Sequence, residues 1–273
     1  MSGKLYVVGT PIGNLGDFSP RAVETLALVD FIAAEDTRVT VKLLNRFEIK
    51  KEMLSYYEHN KNGRANLIIE RLLNGESCAL VSDAGMPAIS DPGEDLVRIA
   101  REMGIEVESV PGPSALITAL SISGMPSGRF CFEGFLSVNR ISRKEHLEGL
   151  INEKRTMIFY EAPHKLLPTL KDFLKYFGDR EIAIVREMTK IHETVFKCKL
   201  SESIAYYEEN TPKGEFVLII KGAEEKEESY SLEDALKIAQ KSIDNGNSTS
   251  SAAKEAAEIT GIKKGDIYKA LLN

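Results

Sequence analysis

The chain has 273 residues, 43% of them hydrophobic, with 20 glycines, ten prolines, three cysteines, no tryptophan and a formal charge of -6. Such a chain buries a sizeable core in about two domains, which excludes a disordered tail, a collagen-like or coiled-coil repeat and a mini-protein. No apolar stretch approaches the roughly 20 residues of a spanning helix, and Met1-Ser2-Gly3-Lys4 runs straight into a strand pattern, so a cytoplasmic protein is expected.

Short β-branched runs alternate with helical patterns from the start: Leu5 to Val8, Arg21 to Val29, Phe31 to Ala34 and Val39 to Phe47. Asn66 to Leu73 has helical periodicity, Cys78 to Ser82 reads as a buried strand, Glu94 to Met103 as a helix ending at Gly104, and Val107 to Val110 as a strand. Strand and helix in turn predict an α/β fold. After Pro111-Gly112-Pro113, a small-residue helix from Ser114 to Ile122 leads past Gly124 into a second series. Its strands are Phe130 to Phe135, Thr156 to Tyr160, Glu181 to Arg186, Thr194 to Leu200 and Glu215 to Lys221, with helices at Lys144 to Asn152, Lys165 to Tyr176 and Ser203 to Glu208. Two strands adjoin without a helix, which predicts a mixed or antiparallel sheet. Ala223 to Ser231 reads as a solvated linker, and a small helical tail follows at Leu232 to Ile243, Ala252 to Ile259 and Asp266 to Leu272. The expected domains are therefore 1–123, 124–222 and a linker with tail at 223–273.

Cys78, Cys131 and Cys198 are scattered through apolar runs without C-x-x-C or histidines at ligand spacing, so reduced core thiols and no metal are expected. The tail carries ten carboxylates against seven lysines from Ala223 onward. Its Thr260-Gly261-Ile262 turn is like the bend of a helix-turn-helix, but groove readers carry a basic face, so docking on the body, a second subunit or RNA stays open.

Three loops carry the chemistry. Gly9 to Asp17 places three glycines between an apolar strand and a helix, without the dinucleotide G-x-G-x-x-G spacing and without the lysine of a phosphate loop. Asp83 to Gly93 opens from a strand end, and so does Pro111 to Ala115. Ligands of open α/β sheets bind at carboxyl ends of strands, so three such loops predict one pocket.

The motifs G-T-P-I-G-N-L-G-D (9–17), E-D-T-R (35–38), S-D-A-G-M-P-A-I-S-D-P-G (82–93), P-G-P-S-A (111–115), Y-E-A-P-H (160–164), R-E-M-T-K-I-H-E (186–193) and P-K-G-E-F (212–216) resemble the tetrapyrrole methylase family, in its branch that modifies small-subunit ribosomal RNA. The resemblance implies two α/β domains with a cofactor cleft between them, a homodimer, and S-adenosylmethionine-dependent methylation of a cytidine ribose 2'-hydroxyl in the decoding region of 16S RNA. It assigns cofactor contacts to Pro11, to Asp83, Ala84, Gly85 and Met86, to Ser114 and Ala115, and from the second domain to Tyr160, Glu187 or Met188, and Pro212 to Gly214. Met86 stands where the family pattern suggests a smaller residue such as threonine.

Methyl transfer needs in-line alignment and a base for the hydroxyl, and no metal. The densest polar cluster is Arg186, Glu187, Lys190, His192 and Glu193. There Arg186 and Lys190 are candidates to bind phosphate or polarise the hydroxyl, and Glu187 or Glu193 to accept its proton; an internally paired charged turn is the alternative. Arg38, together with Arg140, Arg143 and Lys144 in a loop after Phe135, are candidate RNA contacts. A methylase of the same fold acting on a tetrapyrrole or a protein, and a non-catalytic RNA-binding or assembly factor, are the rival functions.

Overall fold

The computed structural model describes residues 2–58, 60–224 and 230–272. Two compact units divide it, Met1–Ala223 and Glu224–Asn273.

The first unit opens with five strands alternating with helices: β1 (Lys4–Val8), α1 (Pro20–Leu28), β2 (Phe31–Ala34), α2 (Thr37–Arg46), β3 (Glu52–Ser55), α3 (Lys61–Leu73), β4 (Cys78–Val81), α4 (Glu94–Glu102), β5 (Glu106–Val110) and α5 (Ala115–Ile122). The strands form a fully parallel sheet in the order β3-β2-β4-β1-β5. β2 and β4 are buried at every position. Their side chains alternate between faces, as the pleat dictates: Phe31, Ala33, Cys78 and Leu80 enter one core, while Ile32, Ala34, Ala79 and Val81 enter the other. Continuous apolar runs follow from this burial on both faces. The edge strand β3 has no predicted counterpart, because Glu52-Met53-Leu54-Ser55 is only half-buried and carries a polar residue at each end.

The same unit continues with β6 (Phe130–Phe135), α6 (Arg140–Gly149), β7 (Thr156–Glu161), α7 (Leu166–Phe177), β8 (Glu181–Arg186), β9 (Thr194–Lys199), α8 (Leu200–Glu209) and β10 (Phe216–Ile220). Their order is β6-β7-β10-β8-β9. β6 and β7 run parallel, and the remaining pairs are antiparallel, so the sheet is mixed, as the adjoining strands predict. Arg140, Arg143 and Lys144 lie on α6 rather than in a loop. The side chain of Asn139 accepts hydrogen bonds from the Ile141 and Ser142 N–H groups, and this cap starts the helix four residues earlier than its apolar pattern indicates.

The two sheets are joined through α5. Leu116, Ala119 and Leu120 pack with Ile158, Ala183, Val185, Val217 and Ile219 of the second sheet, so a helix that begins at the end of the first sheet is core to the second.

The second unit holds α9 (Leu232–Asp244), α10 (Thr249–Thr260) and α11 (Lys264–Leu272) around Ala235, Ala239, Ala252, Ala253, Ala256 and Ile267. Ser231 and Ser248 cap α9 and α10, and Gly261 ends α10 in the left-handed conformation. Of the predicted linker, 225–229 lie outside the described residues. No described helix is long and apolar enough to cross a membrane.

Candidate active site

The loops at the carboxyl ends of β1, β2 and β4 are bonded to one another. Thr10 and Gly85 exchange backbone hydrogen bonds at 2.9 and 3.1 Å, and Thr10 Oγ1 donates to the Ser82 carbonyl at 3.1 Å. Asp36 N–H donates to Asp83 Oδ1 at 3.1 Å, while Asp83 N–H donates to Glu35 Oε2 at 3.3 Å. Asp36 itself caps α2, accepting from Arg38 N–H at 2.8 Å.

These loops form one wall of a cavity of about 390 Å³, a size suited to a small-molecule ligand. Ile12, Glu35, residues 83–86, residues 89–91, Ser114 and Ala115 line that wall; Phe135, residues 160–163, Met188 and residues 215–217 of the second sheet line the other. Tyr160 ties the walls together, its Oη accepting from the Leu116 N–H of α5 at 3.1 Å.

The lining includes five carboxylates, Glu35, Asp83, Asp91, Glu161 and Glu215, and among the described residues it includes no lysine or arginine. Burial raises the pKa of Glu35 and of Asp83 above the ordinary carboxylate range. Burial also pushes Asp91 up to about 6, and the neighbouring charge of Glu35 adds to the shift. Four of the five described non-glycine residues at positive φ flank this cavity in two short segments: Ala88 (66°) and Ser90 (61°), then Glu187 (52°) and Thr189 (64°). Left-handed backbone at such residues costs free energy and concentrates where geometry serves a ligand.

Residues 4–204 match the family of Tetrapyrrole (Corrin/Porphyrin) Methylases. A "Ribosomal RNA small subunit methyltransferase I" of Synechocystis is 48% identical over 269 residues, spanning 98% of this chain and 96% of that protein. The chain belongs to the tetrapyrrole methylase family. A relative of the same name from Thermotoga maritima is 50% identical over 222 residues, 81% of this methylase and 100% of that protein. The crystal structure of uroporphyrin-III-C-methyltransferase from Thermus thermophilus shares the fold, with a TM-score of 0.58 at 18% identity over 80% of this chain and 94% of that one. Relatives of this identity and coverage make the chain an enzyme, a methyltransferase.

Of the residues expected to contact the cofactor, Asp83, Ala84, Gly85, Met86, Ser114, Ala115, Tyr160 and Met188 line the cavity of the methylase. Pro11, Pro212 and Gly214 are not among the lining residues; Ile12, next to Pro11, and Glu215, next to Gly214, are.

The polar cluster after β8 does not line the cavity. Lys190 Nζ bridges Glu187 Oε1 and Glu215 Oε2, both at 3.0 Å, and Glu215 N–H donates to Glu187 at 3.1 Å. The Lys190 contact holds the Glu187 pKa below the usual carboxylate range, which makes it a weak proton acceptor. Glu193 accepts from Thr189 N–H at 2.7 Å, and the Nε of Arg186 is buried without a hydrogen-bond partner. In this geometry Glu187, Lys190 and Glu193 are paired within the protein, and the segment's one direct contribution to the lining is Met188.

Among the expected RNA contacts, the Arg38 side chain is 87% exposed and pairs with Asp36 at 2.6 Å. Arg140 is exposed on α6. Arg143 turns inward to Asp172 and Thr169, at 2.7 and 2.9 Å, which leaves its guanidinium engaged within the fold. Lys144 lies 3.6 Å from Glu148, one helical turn along. Phe135, Glu161 and Glu215 escaped the sequence reading as site residues, because each sits at or beside a strand end without a glycine-rich loop. Glu161 lies in the Y-E-A-P-H motif and Glu215 in the P-K-G-E-F motif, which were the available signals.

Proposed function

We propose that this methyltransferase transfers the methyl group of S-adenosylmethionine to the ribose 2'-hydroxyl of a cytidine in the decoding region of 16S ribosomal RNA. The observation that carries the reading is a carboxylate-lined cavity with no basic side chain among its described lining residues, in a chain related over nearly its whole length to proteins named ribosomal RNA small subunit methyltransferase I.

The residues fit the cofactor. Five carboxylates favour a cation, and Ile12, Met86, Ala115, Met188 and Val217 offer apolar and thioether surface to an adenosyl group. Bound there, S-adenosylmethionine supplies an electrophilic methyl group on a positively charged sulfur. The chain's own part is to orient the nucleotide and take up its proton. A ribose hydroxyl is a poor nucleophile until deprotonated, so a base within hydrogen-bond reach is required. Asp91 suits that role, because it lines the cavity and its pKa near 6 leaves it ionised yet basic at neutral pH. Glu187, by contrast, is already engaged with Lys190. Alignment within the cavity contributes roughly 7–11 kcal/mol of barrier lowering, and the base about 10²- to 10⁴-fold more.

The homodimer and the cytoplasmic location implied by the family resemblance belong to the same reading, and sedimentation of the purified chain checks the first. The deciding experiment incubates the protein with methyl-labelled S-adenosylmethionine and either small-subunit particles or naked 16S RNA, then maps the label. Label on one cytidine ribose supports the reading. Label on a base, on a protein or on neither substrate overturns it.

A further inference from the structure

Phe135 is the last residue of β6, and two features aim it. Along β6 the register against β7 shifts between Phe132 and Gly134, so that Glu133 is an extra residue relative to β7. Gly134 takes φ of +63°, a conformation open to glycine at little cost. In a regular strand, Phe132 and Phe135 point to opposite faces. Across this bulge they share one: both rings stand edge-on to Tyr160, with centroids at 4.9 and 5.5 Å and interplanar angles of 66° and 61°. Tyr160 is in turn held by the Leu116 N–H.

The two phenylalanines differ in what covers them. Phe132 packs against the core shared with α5. Phe135 is 56% exposed and lines the cavity, as does Ile89, itself 46% exposed. An aromatic ring turned by this bulge to the edge of the cavity offers a neutral planar group a surface to stack on.

We propose that Phe135 is the stacking platform for the target nucleobase, receiving the unpaired pyrimidine ring while its ribose enters the cavity. This rests on the reading of the chain as an RNA ribose methyltransferase. A nucleotide that reaches a recessed site leaves its own stack, and an aromatic side chain replaces the stacking it loses. The bulge at Glu133 and Gly134 therefore has a purpose beyond shape, since it turns a ring that would face away into the nucleotide's path.

The test compares Phe135→Ala, Phe135→Leu and Phe135→Tyr in methyl transfer to small-subunit particles, with S-adenosylmethionine affinity measured separately by calorimetry. The expected result is a roughly tenfold to hundredfold fall in kcat/KM for RNA in the Ala and Leu variants, activity near wild type in Tyr, and cofactor affinity changed less than about twofold in all three. Rescue by Leu, which restores apolar area without a π face, overturns the proposal, as does an equal loss of cofactor affinity. A short RNA carrying a fluorescent cytosine analogue at the target gives a second readout. Its emission is quenched on binding wild type and not on binding Phe135→Ala; quenching by both overturns the proposal. Failure of the wild-type protein to methylate RNA sinks the functional reading itself, and is distinguished from these outcomes because it precedes any comparison of variants.

Discussion

Gly9 and Gly112 face each other beyond the ends of β1 and β5 so closely that a Cβ on Gly9 stands 2.7 Å from the Gly112 Cα, and a Cβ on Gly112 stands 2.9 Å from the Gly9 backbone. The obstacle on each side is main chain, which cannot rotate away. The two loops therefore approach as near as they do only because neither residue carries a side chain.

Gly9→Ala and Gly112→Ala are accordingly expected to lower stability by about 1–3 kcal/mol and to weaken S-adenosylmethionine binding together. Gly149→Ala is the control, because that glycine closes α6 with nothing within 4 Å of its Cβ position, and alanine there is neutral or slightly stabilising. Thermal unfolding and calorimetry of the three variants check the contrast.

Asp91 carries a pH signature. Its pKa rises from the ordinary 3.8 to about 6 in the folded protein, with burial as the main cause, so the folded state binds the proton more tightly than the unfolded chain does. Its charge therefore costs stability in full above about pH 6, and the cost fades as the pH falls towards 3.8. Asp91→Asn is expected to raise Tm at pH 7.5, by on the order of 1–3 kcal/mol of stability after allowance for solvent screening, and to flatten the pH dependence of Tm across that window. Wild-type turnover is expected to fall as the pH drops through about 6, while the variant loses roughly 10²- to 10⁴-fold at every pH. Melting curves and a pH–rate profile read both effects.

Lys190 separates a structural role from a chemical one. If it only bridges Glu187 and Glu215, Lys190→Met lowers Tm by about 0.5–2 kcal/mol of stability and weakens the cofactor modestly through the Glu215 lining. The expected result is that loss with turnover reduced less than about tenfold at saturating substrates. A collapse of kcat with Tm and cofactor affinity intact would return Lys190 to the reaction.

RNA affinity is expected to rest on exposed side chains outside the acidic cavity. The Arg38 guanidinium, 87% exposed beside Asp36, is one such group. Arg38→Ala should weaken particle binding uniformly and reduce the slope of log affinity against log salt by about one, as measured by filter binding across a salt series. With a chain charge of -6, random RNA should bind poorly at the same salt.

The tail is expected to be dispensable for cofactor binding. Met1–Ala223 is a compact unit by itself, and 222 residues of this chain span the whole of the Thermotoga maritima relative. A chain ending at Ala223 should fold and bind S-adenosylmethionine with the affinity of the full protein, by calorimetry.

Legibility in the sequence followed burial. β2 and β4 are apolar at every step because both faces are covered, so their positions were plain, with β4 read one residue long at Ser82, whereas the half-buried edge strand β3 left no pattern to read. The wall built by the loops after β1, β4 and β5 was legible from its glycines and prolines. Of the opposing wall, Tyr160 and Met188 were legible through the motifs of the family resemblance, while Phe135, Glu161 and Glu215 reach the cavity through sheet pairing and a bulge, which are long-range facts. Charge density at 186–193 left two readings open, since a run of charged residues looks the same in sequence whether its members face a ligand or one another.

One helix constrains how ligands come and go. Because α5 starts at the cavity wall and buries Leu116, Ala119 and Leu120 in the second sheet's core, the two walls cannot swing apart like jaws without tearing that core open. Exchange of ligands is then expected to occur by rearrangement at the rim, in the segment around Ala88 and Ser90, with the sheets standing still.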